Sequence, residues 1–105
     1  MSDEWTPVAA TGDVSEDQPS VGNVDGAEIA IYKVDGDYFA TSNICTHGLA
    51  RLSDGYLDGF LIECPLHQGL FDIRNGKCAG DPVDVDLASY DVRVVNDTVE
   101  VRLRA

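Results

Sequence analysis

The segments Cys45-Thr46-His47 and Cys64-Pro65-Leu66-His67 carry the most information in this 105-residue sequence. They contain both histidines and two of the three cysteines of the chain. Their pattern is C-x-H, a gap of sixteen residues, and then C-x-x-H. Two thiolates and two imidazoles together supply four metal ligands. The segments therefore predict a metal centre held by Cys45, His47, Cys64 and His67.

Zinc is one metal that this ligand set fits, since two cysteines and two histidines also form structural zinc sites. Zinc would make the chain a non-redox module for assembly or regulation. The usual zinc spacing keeps the two cysteines together and the two histidines together, whereas each segment here mixes the two residue types. The spacing thus counts against zinc and leaves it as an alternative.

The residues that follow the second segment point to a known family. Phe71-Asp72, Gly76-Lys77 and Gly80-Asp81-Pro82, together with the two Cys/His segments, resemble the Rieske iron–sulfur family. In that family two histidines replace two cysteines on one iron of a [2Fe–2S] cluster. The resemblance covers nearly the whole chain and is densest between Asn43 and Pro82.

The resemblance implies a cofactor, a ligand assignment and a fold. One [2Fe–2S] cluster is expected per chain, with Cys45 and Cys64 on the buried iron and with His47 and His67 on the outer iron. The expected fold is an all-β, Rieske-type antiparallel β-sandwich that forms a single domain over residues 1–105. A small cluster-binding subdomain is expected as an insertion over about 43–82, with Pro82 near the cluster.

The sequence pattern independently predicts an all-β domain, because short β-type segments alternate with turn signals. Strands are expected at 27–34 and 38–41, joined by Asp35-Gly36-Asp37. A second hairpin turns at Asp58-Gly59, and a short strand follows at 70–73. No long amphipathic helix is predicted. A last hairpin pairs 90–95 with 98–103, and its alternation predicts one buried face formed by Val92, Val94, Val99, Val101 and Leu103.

Four positions beside the segments separate the chain from the respiratory branch of the family. That branch has an extra cysteine in each loop, and the two form a disulfide, whereas Ala50 and Leu66 stand at those positions here. It also has a serine and a tyrosine that hydrogen-bond to the cluster sulfurs, where this chain has Gly69 and Phe71. Because the loss of such bonds lowers the potential, we expect the low end of the Rieske range, which begins at about −150 mV.

The chain is therefore similar to the soluble ferredoxins that serve aromatic-ring-hydroxylating dioxygenase systems. That resemblance implies a flavin-containing, NAD(P)H-dependent ferredoxin reductase as electron donor and a terminal oxygenase as acceptor. A Rieske carrier for a different oxygenase or reductase, such as a monooxygenase system, is an alternative. The four-ligand centre uses both histidines, so the chain has none for a mononuclear oxygen-activating iron. We expect an electron carrier and not an enzyme.

The composition of the chain indicates which classes of partner it binds and in which cellular compartment it works. Nineteen acidic and seven basic residues give a formal net charge of −12, which argues against nucleic acid and against an anionic membrane surface. The charge also suits either solubility or electrostatic steering towards a basic partner. The sequence has no long apolar run and no signal-peptide pattern at its start, and its cysteine count is odd. These features predict a cytoplasmic protein, and transient carriage of electrons predicts a monomer.

Overall fold

The computed structural model describes residues 4–16, 18–46, 50–65, 69–79 and 85–103. Within these ranges the chain forms β-strands and two short 3₁₀ turns, which confirms the predicted all-β class. No helix in these ranges is long and apolar enough to cross a membrane. The strands are β1 (Thr6–Ala10), β2 (Ser20–Val24), β3 (Ala27–Val34), β4 (Asp37–Ser42), β5 (Tyr56–Asp58), β6 (Leu61–Glu63), β7 (Leu70–Asp72), β8 (Ser89–Val95) and β9 (Thr98–Leu103), and the turns are Thr11–Asp13 and Leu52–Asp54.

Six of the strands form one antiparallel sheet in the order β1-β9-β8-β4-β3-β2. The two edge strands of this sheet come close together. A Cβ atom at Gly22 on β2 would lie 3.0 Å from the Cβ atom of Val8 on β1 and 3.1 Å from its carbonyl oxygen. The sheet therefore curls until its edges meet, and a side chain at position 22 would press against Val8 unless β1 or β2 shifted.

Two of the predicted hairpins, β3–β4 and β8–β9, are present with tight turns. β3 and β4 are joined by Asp35 and Gly36, whose φ angles are +53° and +84°. β8 and β9 are joined by Asn96 and Asp97, whose φ angles are +50° and +63°. Two consecutive residues with positive φ match the tight turns whose twist agrees with that of the flanking strands.

The predicted buried face of the last hairpin is correct only in part. Val99 and Val101 are fully buried, but Val94 and Leu103 are 46% and 58% exposed. Val94 is exposed because β4 pairs with β8 only through Ala40↔Tyr90 and Thr41↔Ser89, so the far end of β8 extends beyond β4. Leu103 is exposed because β1 reaches β9 only as far as Thr6↔Val101, so the end of β9 extends beyond β1.

A second, smaller sheet is built by the chain between β4 and β8. β5, β6 and β7 pair antiparallel in that order. This sheet is an insertion into the larger one, as expected for the subdomain that we predict over 43–82. The predicted end of that subdomain, Pro82, lies outside the described residues.

Strand β3 separates two apolar cores because both of its faces are buried. Ile29 and Ile31 point into the core enclosed by the large sheet, together with Val99 and Val101. Alternate residues on a strand face opposite sides, so Ala30 and Tyr32 point into the other core. That second core also contains Cys45, Leu52, Ile62, Cys64, Phe71, Ile73 and Leu87. The fold thus places two cysteines of the predicted site in one core beside the small sheet.

Candidate metal centre

The first cysteine lies at the start of a short loop in a hairpin that follows β4. Ile44 forms an antiparallel bridge with Arg51. The Cys45 N–H donates to the Ala50 carbonyl oxygen at 2.9 Å. These two pairings continue one antiparallel register, and we call the chain between Cys45 and Ala50 the first loop. The predicted ligand His47 falls in this interval of the sequence and lies outside the described residues.

The second cysteine occupies the same place in a hairpin formed by β6 and β7. Glu63 pairs with Leu70, and the Cys64 N–H donates to the Gly69 carbonyl oxygen at 2.7 Å. We call the chain between Cys64 and Gly69 the second loop, and Pro65 is its first residue. The predicted ligand His67 falls in this interval of the sequence and also lies outside the described residues. Each cysteine therefore begins a loop that is closed by a bond from its own N–H to the carbonyl five residues later.

The two cysteine side chains are buried in the same apolar surroundings, where a bound metal would be needed to stabilise their thiolates. Cys45 is 3% exposed and Cys64 is fully buried, and both belong to the same apolar core. Neither cysteine forms a disulfide. Among the described residues no group of three or more His, Cys, Asp and Glu side chains could hold a metal ion, because only two of the four predicted ligands are among them. The structure thus brings Cys45 and Cys64 into one core and leaves the histidines undescribed.

The hairpin of the first loop rests on a buried polar network that the sequence does not reveal. The Asn43 side chain, which is fully buried, donates to Glu28 Oε1 at 2.8 Å and to Ser53 Oγ at 3.0 Å. It accepts the Ser53 N–H at 2.8 Å. Arg51 Nε donates to the same Glu28 oxygen at 2.7 Å. These bonds from Asn43 and then Arg51 hold the pKa of Glu28 below its usual range.

The hairpin of the second loop rests on apolar packing. Ile62 and Phe71 form a cross-strand pair, and both are fully buried. Ile73, only 1% exposed, belongs to the same core. Phe71 stands where the respiratory branch is expected to carry a tyrosine, and its ring has no hydroxyl that could donate to a cluster sulfur.

The segment 85–87 connects the first loop to the hairpin of the second. Thr46 Oγ1 donates to the Val85 carbonyl at 2.6 Å. The Cys78 N–H donates to Asp86 Oδ1 at 3.0 Å, and the Leu87 N–H donates to the Gly76 carbonyl at 2.7 Å. The backbone N–H and then the thiol of Cys78 lower the pKa of Asp86 by donating hydrogen bonds to it. Cys78 is half-buried, and its position outside the two loops agrees with a structural side chain.

Comparison with known proteins identifies the family to which the chain belongs. The model of the Rieske [2Fe–2S] domain matches residues 4–91. A relative from Ralstonia sp, the ferredoxin component of naphthalene 1,2-dioxygenase/salicylate 5-hydroxylase systems, is 44% identical over 103 residues, which are 98% of this chain and 99% of the relative. The chain belongs to the Rieske [2Fe–2S] family and carries one [2Fe–2S] cluster.

Two solved structures confirm the Rieske-type fold and indicate the kind of member. The ferredoxin of Sphingomonas yanoikuyae B1 superposes with a TM-score of 0.89 at 35% identity, over 93% of this chain and 97% of the other. A ferredoxin chain in the complex of reduced oxygenase and oxidized ferredoxin in carbazole 1,9a-dioxygenase gives 0.85 at 40% identity, over 92% and 91%. Relatives of matching length are ferredoxin components, so the chain is an electron carrier and not a catalytic enzyme.

The described side chains suit the cluster that the family carries. Iron in such clusters is held by soft cysteine thiolates, and two cysteines that avoid a disulfide meet in one water-excluding core. The cluster supplies the one-electron chemistry when it is bound. The described residues contribute an apolar core that keeps water away from the two cysteines.

Proposed function

We propose that this chain is the ferredoxin component of an aromatic-ring-hydroxylating oxygenase system and transfers single electrons to its terminal oxygenase. The observation that carries the proposal is the near full-length match to ferredoxin components of such systems. Electron delivery to an oxygenase is supported by the similar ferredoxin in the carbazole 1,9a-dioxygenase complex. The Rieske match argues against the zinc alternative.

We further propose the ligand set Cys45, His47, Cys64 and His67. Support comes from the two cysteines, which begin matching loops and share one buried core. Each loop also contains one of the two histidines of the chain. In this assignment Cys45 and Cys64 hold the inner iron, whereas His47 and His67 hold the outer iron. The imidazole edges are then the route by which an electron enters and leaves.

The proposed potential lies at the low end of the Rieske range. Hydrogen bonds to cluster sulfurs raise the potential, and Gly69 and Phe71 have no side-chain hydroxyl with which to donate one. Ala50 stands where the respiratory branch has a bridging cysteine, so the two loops have no disulfide brace. A low potential suits a carrier that must give its electron to an oxygenase.

The proposed electron donor is a flavin-containing, NAD(P)H-dependent ferredoxin reductase. Support for this donor comes from the family resemblance, and the net charge of −12 suits steering towards basic docking surfaces. Binding should be weak and salt-sensitive, as is usual for small redox interfaces. A monomer in the cytoplasm is the form that we propose, since three cysteines outside disulfides suit a reducing compartment.

Stopped-flow spectroscopy with the separated components tests the electron-carrier proposal. The chain is mixed anaerobically with NADH and the reductase of a naphthalene 1,2-dioxygenase system, and the cluster absorbance is followed. The terminal oxygenases of naphthalene, anthranilate and carbazole dioxygenase systems are then added in turn. We expect bleaching by the reductase and recovery with at least one oxygenase, each slower at high salt. A reduced chain that none of the oxygenases reoxidises would contradict the proposed acceptor.

A further inference from the structure

Asn43 is unusual among the residues around the two loops because it is polar, fully buried and fully paired. Its amide nitrogen donates to Glu28 Oε1 and to Ser53 Oγ, and its amide oxygen accepts the Ser53 N–H. The described part of the chain contains no buried side-chain nitrogen or oxygen without a hydrogen-bond partner. A buried amide with three side-chain bonds has one orientation only, since rotation would break all of them at once.

The backbone of Asn43 ties together the two ends of the first loop. Its N–H donates to the Glu28 carbonyl at 3.0 Å, and its carbonyl accepts the Leu52 N–H at 2.8 Å. Asn43 precedes Cys45 by two residues, and Leu52 follows the loop-closing Ala50 by two. The side-chain bonds to Ser53 lie one residue further on. The residue therefore joins both strands of the hairpin directly beneath the loop.

Glu28 extends this junction to the large sheet. A single oxygen, Glu28 Oε1, accepts from both Asn43 Nδ2 and Arg51 Nε. Arg51 is the residue immediately after the loop-closing Ala50, and Glu28 is fixed on β3. One carboxylate on β3 thus contacts both sides of the hairpin.

We propose that Asn43 is a positioning residue for the cluster: through Glu28 and Ser53 it fixes the direction in which the first hairpin presents Cys45. This inference rests on the proposed ligand set. Asn43 touches neither iron nor sulfur in this account and acts through the loop that it supports. A loop that is free to tilt would change the iron–ligand geometry and admit water, so the cluster potential, its EPR line shape and its rate of loss depend on this amide.

The test compares Asn43→Ala, Asn43→Asp and the double variant Asn43→Asp with Glu28→Gln, all as cluster-containing proteins. Asn43→Ala removes the amide, and Asn43→Asp brings a second carboxylate against Glu28. The double variant exchanges donor and acceptor, because the amide introduced at position 28 can donate to the carboxylate introduced at position 43. For each protein we would measure iron and sulfide content, reduction potential, the EPR spectrum of the reduced state and the rate of cluster loss.

We expect both single variants to lose the cluster roughly tenfold faster than the wild type, with broadened EPR lines and a shifted potential. The double variant should recover only part of the wild-type behaviour, because the position of Glu28 Oε1 that accepts from both Asn43 and Arg51 then holds an amide N–H, which cannot accept from Arg51 Nε. Val101→Ala is the matched control, since Val101 is equally buried but belongs to the core of the large sheet. It should lower the thermal midpoint without changing the potential or the EPR spectrum.

The result that would overturn the proposal is a set of single variants that lose only thermal stability, as the Val101→Ala control does. If Asn43→Ala does not fold, Ser53→Ala removes one acceptor of the amide and should move the same signals in the same direction by a smaller amount. Unchanged signals in Ser53→Ala would then overturn it. A wild-type protein without two irons would instead refute the proposed ligand set, so the two failures are distinguishable.

Discussion

The two cysteine hairpins have the same loop closure but different foundations. In each, the cysteine N–H donates to the carbonyl oxygen five residues later. The facing pair two positions further from the loop on each strand forms what we call the base of the hairpin. That lower pair is Asn43 and Leu52 in the first hairpin and Ile62 and Phe71 in the second. The first base is therefore half polar and linked to β3 by hydrogen bonds, whereas the second is apolar and belongs to the small sheet.

This difference indicates that the two hairpins have different roles. Apolar packing contributes the larger free energy, but it tolerates small displacements because it has no strong directional preference. Buried hydrogen bonds contribute less net stability, but they fix direction and are costly when one partner is missing. We infer that the second hairpin mainly stabilises the cluster region, and that the first mainly sets its geometry.

The largest expected effect concerns the two histidines, where the hairpins should respond alike. In the proposed ligand set, replacement of His47 or His67 by Cys adds a thiolate to the outer iron and makes its surroundings more negative. We expect either loss of the cluster or a fall of the potential from about −150 mV towards about −400 mV. Protein-film voltammetry of both variants measures this change. A variant with wild-type spectrum and potential would show that the substituted histidine is not a ligand.

The second-largest effect is a loss of stability when the apolar base of the second hairpin is removed. Phe71→Ala empties the fully buried base of the second hairpin and should lower the free energy of unfolding by about 3–5 kcal/mol. Urea denaturation of the cluster-containing protein measures the loss. Tyr56→Ala on the same small sheet is the control, because Tyr56 is 69% exposed and its removal should cost less than about 0.5 kcal/mol. Equal losses would refute an apolar foundation beneath the second hairpin.

A smaller loss of stability is expected when the base of the first hairpin is made apolar, like that of the second. Asn43→Ile places an apolar residue where the other hairpin has Ile62. The buried Ser53 N–H then loses its acceptor, so the free energy of unfolding should fall by about 1–3 kcal/mol. Leu52→Ile, which keeps the base apolar at its other position, is the comparison. An Asn43→Ile protein as stable as the wild type would mean that the two bases are interchangeable.

The smallest effect is a dependence of stability on pH that arises from Glu28, beneath the first hairpin. Hydrogen bonds from Asn43 and Arg51 lower the pKa of Glu28 in the folded protein. A lowered folded pKa gives stability that is present above the unfolded value, about 4.3, and is lost as the pH falls through the folded value. Between neutral pH and pH 3 the wild type should therefore lose more stability than Glu28→Gln. Parallel denaturation curves at both pH values for the two proteins would contradict this account.

Much of the fold could be predicted from the sequence because its signals are local. The β3–β4 and β8–β9 hairpins are specified by Asp35-Gly36 and Asn96-Asp97 between apolar runs. The sequence pattern does not predict β1 and β2, since each has five residues and β2 is interrupted by Gly22 and Asn23. That glycine serves contact between the two edge strands, which is a tertiary requirement that no local pattern encodes.

The cysteines of the site could be predicted from the sequence, but the hydrogen-bond network beneath the first loop could not. Cys45 and Cys64 stand out because each lies beside a histidine at short spacing. The network beneath the first loop joins Glu28, Asn43 and Ser53, which are ten or more residues apart in sequence. None of these three belongs to a ligand motif. The one available signal is that Asn43 is polar at a position where the second segment has Ile62.

The measurement that tests the central claim most directly is hyperfine EPR spectroscopy of the reduced protein, grown with and without ¹⁵N-labelled histidine. Iron, sulfide and zinc are determined on the same samples. We expect two irons per chain, an average g value below that of the free electron, and couplings to two histidine nitrogens that change with the label. A protein with one zinc, or a reduced cluster without histidine couplings, would contradict a [2Fe–2S] centre held by one cysteine and one histidine from each hairpin.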